Sequence, residues 1–128
     1  MQKILTEISC GELIDKISIL EIKIKKIKNV TKKNQAKKEC LILRKTKKSL
    51  NIKKNLNIYS KKLKRVNLKL WKLEDDIRKK EKFKNFDKEF IKLAREVYKS
   101  NDERSLIKKK INLSVKSNII EVKSHKGQ

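Results

Sequence analysis

Proline is absent, and glycine occurs only twice in 128 residues. Helices therefore meet few breakers, loops are short, and no glycine-rich phosphate loop can be built. Aromatic residues make up 5% of the chain, so Ile and Leu must fill most of the core. One histidine and two distant cysteines, Cys10 and Cys40, cannot supply a zinc set, and neither HExxH nor CxxC occurs. No metal or cofactor is expected. A Ser–His–Asp triad would depend on His125, three residues from the end of the sequence. No run approaches the ~18 uncharged apolar residues that mark a membrane span. The opening MQKILTEISC also lacks the apolar run of a secretory signal. The chain is read as cytoplasmic, with no membrane insertion. Its cysteines are read as free thiols packed like small apolar residues.

Acidic residues are scarce too: 15 against 38 basic ones, for a net charge of +23. Only five of the basic residues are Arg, and Lys, Asn and Ile together make up 60 of the 128 residues. All three are spelled by A- and T-rich codons. Compositional filling of solvated helix faces with Lys explains the excess better than selection for phosphate, which usually recruits the arginine fork. The charge is uneven. Residues 1–21 carry −2, residues 22–72 carry +19 and residues 73–128 carry +6.

What is present is helical periodicity. Ile52, Leu56, Tyr59, Leu63, Val66, Leu70, Leu73 and Ile77 recur at spacings of 4, 3, 4, 3, 4, 3 and 4, a sustained heptad seam. This stretch, Ile52 to Glu81, is the one around which the chain is expected to be organised. Before it, Ser9-Cys10-Gly11-Glu12 reads as a capping box that opens a first helix. Cys10, Leu13, Ile17, Leu20, Ile24 and Ile27 form its main stripe. Ile14, Ile19 and Ile22 lie off that stripe, so this helix should pack on two sides. Asn29 or Val30-Thr31 should end it. A second helix carries the weaker stripe Ala36, Cys40, Leu43 and Leu50, interrupted by Lys47, and a break or tight turn is expected between residues 50 and 56, with one long helix carrying a stutter as the alternative. Asp87 caps a fourth helix, with Phe86 and Ile91 in staple positions. Its stripe of Phe90, Ala94 and Val97 is interrupted by Asn101 and Arg104 before Ile107 and Ile111. Polar residues on an apolar line need partners.

The expected fold is therefore all-α: one domain, an antiparallel bundle of three or four helices with coiled-coil-like packing and short extended termini. The helices are placed at about 9–29, 32–50, 52–82 and 87–113, with a tail over 114–128. The tail residues Ile119, Ile120 and Val122 could pair with the lead-in.

The stretches GELIDKISILEIK, VNLKLWKLEDDIR, FIKLAREVYKSNDERSLIKKKIN and SNIIEVKS resemble an uncharacterised bacterial family, domain-of-unknown-function family 6165. The resemblance covers nearly the whole chain and is weakest over residues 32–59. It implies a small helical protein without an assigned activity, loosely associated with surface-polysaccharide and glycosyltransferase systems.

The candidate site is polar. Asn67, Trp71, Glu74 and Arg78 share a line on the third helix, and Asn101, Asp102 and Arg104 lie on the fourth. Folding back through a short 82–87 loop brings Asn101 and Arg104 toward residues 68–71. Such a groove suits a small anionic or sugar-like ligand, with Arg clamping and Trp stacking. The plainer reading is a set of intrahelical pairs such as Glu74–Arg78, plus one buried network that fixes helix register. Glu12 and Asp15 are read as serving the cap and dipole of the first helix. The leading functional expectation is a non-enzymatic accessory or interaction protein with a protein partner or a homodimeric state. A nucleic-acid binder using residues 22–72, and a ligand binder at the groove, are the alternatives.

Overall fold

The computed structural model describes residues 2–50, 56–116 and 123–125. Among these residues the regular structure is four helices and no strand: α1 (Cys10–Lys26), α2 (Val30–Ser49), α3 (Leu56–Lys82) and α4 (Lys88–Ser114). The all-α expectation holds.

Local chemistry sets the helix ends. The Ser9 hydroxyl accepts from the Glu12 N–H at 3.1 Å and opens α1. The helix stops at Lys26, with Ile27 extended, so Ile27 lies just beyond the stripe assigned to it. Asn29 does not end α1. Its side chain accepts from the Lys32 N–H at 3.0 Å and caps α2 instead. The β-branched Val30-Thr31 pair consequently sits in the first turn of α2, where its weak helix propensity costs only a few tenths of a kcal/mol, on the order of 0.5. α2 ends at Ser49 and α3 is described from Leu56, so the break expected between residues 50 and 56 falls mostly on residues outside the description. So do Ile52 and the tail residues 119, 120 and 122.

α3 closes in a Schellman arrangement. The Asn85 N–H donates to the Lys80 carbonyl, and the Lys84 N–H donates to that of Glu81. Lys84 adopts φ 51 in the left-handed position that glycine usually fills. Asp87 then caps α4, accepting from the Phe90 N–H at 3.0 Å. That bond, and next the Lys80 ammonium, hold the Asp87 carboxyl below the usual carboxylate range. A carboxyl lowered in the fold stabilises it fully above the unfolded-state value. The contribution disappears as pH falls through the folded value. Asp87 should therefore titrate, by NMR, at a lower midpoint than in an unfolded peptide. Asp87→Asn, which keeps a capping oxygen, should remove that part of the acid sensitivity. A midpoint at the peptide value would refute the assignment.

The centre of the architecture is α1, not α3. Among the described residues α1 packs against each of the other three helices, α3 and α4 pack against each other, and α2 packs only against α1. The reason is the width of apolar surface on α1. Ile14 joins Leu56, Leu63, Val66 and Leu70 of α3 and Ile107 and Ile111 of α4 in one cluster. Leu20 joins Ala36 and Cys40 of α2 in another, backed by Ile24 and Leu43. The α3 seam is apolar along one line only and can serve only one core. On α4 the buried positions are Ser100, Ile107, Ile111 and Asn112, whereas Phe90, Ala94 and Val97 are only half-buried. Phe86 packs edge-on against Phe90, with ring centroids 5.1 Å apart. Cross-helix ion pairs give the register. Lys80 meets Asp87 and Lys69 meets Glu96, so numbers rise along α4 as they fall along α3.

Candidate functional site

Two adjoining features make up the site: a buried ionic column and the cavity above it. The column begins with Asp15, which is 0% exposed on α1. A carboxylate among Leu13, Ile14 and Ile17 is tolerable only if it is paired and hydrogen-bonded. Arg104 of α4 does both. Its Nε lies 3.0 and 3.1 Å from the two carboxylate oxygens, and its Nη2 donates to Oδ2. Asn67 of α3 donates to Oδ1 at 2.9 Å and also approaches the Ser18 hydroxyl at 3.3 Å. One carboxylate thus ties α1, α3 and α4 together.

The same register continues toward the start of α1. Lys108, one turn beyond Arg104, places its Nζ 2.6 Å from Glu12 Oε2 and 3.9 Å from Asp15 Oδ2. Asn112, a further turn on, accepts the Gly11 N–H at 2.6 Å. Asp15 and Glu12 thus face Arg104 and Lys108, and Lys16 lies a further 3.8 Å from Glu12. Asp15 is therefore more than a helix-dipole residue. It lies in the second turn of α1 and is the acceptor at the centre of the network. Sequence reasoning did not place Lys108, Asn112, Ser18 or Gly11 here. The available signal was the recurrence of Arg104, Lys108 and Asn112 every four residues along one line of α4, opposite Asp15 and Glu12.

The cavity opens beside Arg104 and has a volume of about 440 Å³. Asn67, Trp71, Glu74 and Arg78 of α3 and Asn101 and Arg104 of α4 all line it, as their shared faces implied. Ile19, Leu70 and Asp75 complete the wall. Asp102 is not part of it; its carboxylate pairs with Lys123 at 2.8 Å. The difference is angular, because Asp102 lies one residue round the helix from Asn101 and meets Lys123 there. Trp71 is half-buried. Glu74 and Arg78 form the expected intrahelical pair at 3.4 Å, with both side chains exposed. Among the described residues Asp75 has no ion-pair partner.

Neither thiol is set up for nucleophilic chemistry. Neither cysteine is joined in a disulfide, and burial pushes each above the ordinary thiol range, opposed in part by Lys47 at Cys10 and by Arg44 at Cys40. Among the described residues no three His, Cys, Asp or Glu side chains come together as a metal site requires. Nor is any described helix long and apolar enough to cross a membrane.

Fold and site together define a small four-helix protein with a buried carboxylate–guanidinium network beneath a polar cavity. A family model described as a family of unknown function, DUF6165, matches residues 4–128, and the chain belongs to that family. No curated protein and no solved structure matches it.

Proposed function

We propose that this is a non-enzymatic helical accessory protein that works by binding, and that the cavity between α1, α3 and α4 holds a neutral, hydroxyl-rich ligand such as a sugar ring. The observation that carries this reading is the state of the two guanidinium groups in the wall. Arg104 is committed to Asp15, and Arg78 faces Glu74. Asp75 adds a carboxylate that has no ion-pair partner among the described residues. In a chain of +23, the cavity is thus a place where acids are not outnumbered. An anion entering it meets no uncompensated cation, which disfavours the anionic ligand that the sequence also allowed.

A sugar fits the same wall. Its C–H face can lie on the indole of Trp71, its hydroxyls can donate to Asp75 and Glu74, and the Asn101 amide can both donate and accept. About 440 Å³ falls within the usual range of small-molecule sites, ~300–1,000 Å³. A role beside a surface-polysaccharide or glycosyltransferase system, which the family resemblance implies, would supply such a ligand. A protein partner or second copy would find exposed aromatic surface at Phe83 and Phe86, where α3 turns into α4.

Trp71 is the only tryptophan and reports directly on the cavity. Neutral hexoses and N-acetylhexosamines should shift its emission saturably and raise the melting temperature, by about 2.7 kcal/mol of stabilisation at a hundredfold excess over Kd. Asp75→Asn should weaken that response about tenfold, since a hydrogen bond to a charged acceptor is worth roughly 1.5–3 kcal/mol. Asp75 is exposed, so folding should be unaffected. A response to inorganic phosphate but not to sugars would overturn the ligand class. Silence to both would remove the cavity as the working site.

A further inference from the structure

We propose that the outer face of α2 is an adsorption surface for anionic lipid headgroups, with Leu41 and Ile42 entering the headgroup–acyl boundary. Among the described helices α2 touches only α1, through Ala36, Cys40 and Leu43. Among the described residues its opposite face is therefore open over the ~30 Å length of a 20-residue helix. The helix carries eight basic residues and one acid, Glu39. Arg44 is bound to Glu21 at 2.9 Å. Among the described residues Lys37, Lys38, Lys45 and Lys48 take part in no ion pair.

Charge alone does not choose between a nucleic acid and a lipid surface; the aliphatic residues do. Leu41 is 57% and Ile42 is 55% exposed, in the middle of the cationic face. Lys37 lies one turn before Leu41 and Lys45 one turn after it; Lys38 and Lys45 flank Ile42 in the same way. Two large aliphatic side chains ringed by unpaired lysines have no use against phosphodiester backbones. Single-stranded nucleic acid would want aromatic platforms for its bases, and α2 has no aromatic residue. A bilayer surface uses both features. Anionic headgroups attract each lysine, the long lysine stems let the ammonium groups snorkel, and the apolar pair reaches the acyl boundary. This is adsorption along the surface, not a membrane span.

The test uses the full chain and vesicles of phosphatidylcholine with and without phosphatidylglycerol, at ~150 mM salt, where the Debye length is about 8 Å. The wild type should float with the mixed vesicles and not with phosphatidylcholine alone. Leu41→Ser with Ile42→Ser leaves every charge in place and alters only exposed positions. It should keep the melting temperature and weaken vesicle binding at least tenfold. Mixed-vesicle binding unchanged in the double variant would mean attraction by charge alone and overturn the proposal. So would absence of vesicle binding, or single-stranded RNA holding the wild type more tightly than the mixed vesicles do.

Discussion

Arg104→Ala should destabilise the protein by about 3–5 kcal/mol, the usual consequence of stripping the partner from a buried charge. The carboxylate left behind, Asp15, is 0% exposed, whereas the Arg104 side chain is 28% exposed. Among the described residues Asn67 still donates to it at 2.9 Å, and the Lys108 ammonium stands 3.9 Å away, beyond hydrogen-bond reach. Arg104→Lys should recover only part of the loss. An ammonium keeps the charge but cannot reproduce the fork that addresses both carboxylate oxygens. Urea denaturation of the single variants, and of the double variant Asp15→Leu/Arg104→Met, measures the coupling. The double variant should be closer to the wild type than Arg104→Ala, because apolar groups of similar volume leave no buried charge without a partner. Additive losses would show that Asp15 and Arg104 stabilise the fold independently. Because Arg104 also lines the cavity, its loss disturbs fold and site together, and Asp75 is the cleaner probe of ligand binding.

Gly11→Ala should be destabilising although the position is helical. Alanine has the better intrinsic propensity by about 0.8–1.0 kcal/mol, which alone predicts a gain. Packing decides otherwise. A Cβ at residue 11 would stand 2.6 Å from the Lys108 carbonyl oxygen and 2.9 Å from Asn112 Oδ1. The first of these is α4 backbone and cannot rotate away, so the two helices must separate at this end. Separation strains the Gly11–Asn112 and Glu12–Lys108 bonds, both at 2.6 Å. Overpacking of this kind costs typically 1–3 kcal/mol; with the backbone contact placing it toward the upper end, the net loss after the propensity gain is subtracted should be about 1–2 kcal/mol. Denaturant midpoints compared with those of Gly11→Ser and of an Asn112→Ala/Gly11→Ala double variant give the check. A Gly11→Ala protein as stable as wild type would mean that α1 and α4 are not held this closely.

Much of the architecture was readable because it is local. The Ser9 and Asp87 caps need only a side-chain oxygen three residues before an amide, and the α3 seam needs only its own spacing. Asn67, Trp71, Glu74 and Arg78 were legible as one wall because they share one face of one helix. Asn101 and Arg104 joined them because a five-residue connection leaves α4 little choice but to return along α3. Asp102 was misplaced for the opposite reason. Neighbouring residues differ by about 100° around a helix, and its partner Lys123 comes from a segment whose path the periodicity does not describe. By sequence Asn29 or the Val30-Thr31 pair suits a helix stop, yet Asn29 starts α2, since the same side chain suits both ends and only the chain direction beyond it decides.

The sequence by itself determined that this protein is helical, where most of the helices begin, which sides of them are apolar and which polar residues share a face. These follow from propensity, capping and periodicity, which act within a few residues. Only the tertiary structure decided that α1 is the hub, that Asp15 is the partner of an arginine 89 positions away, and that Gly11 lies against the backbone of α4. It also decided that the cavity wall is charge-balanced within a strongly cationic chain, because the charge available to a ligand depends on which ions have already found each other. Those pairings join residues far apart in sequence, and no local pattern specifies them.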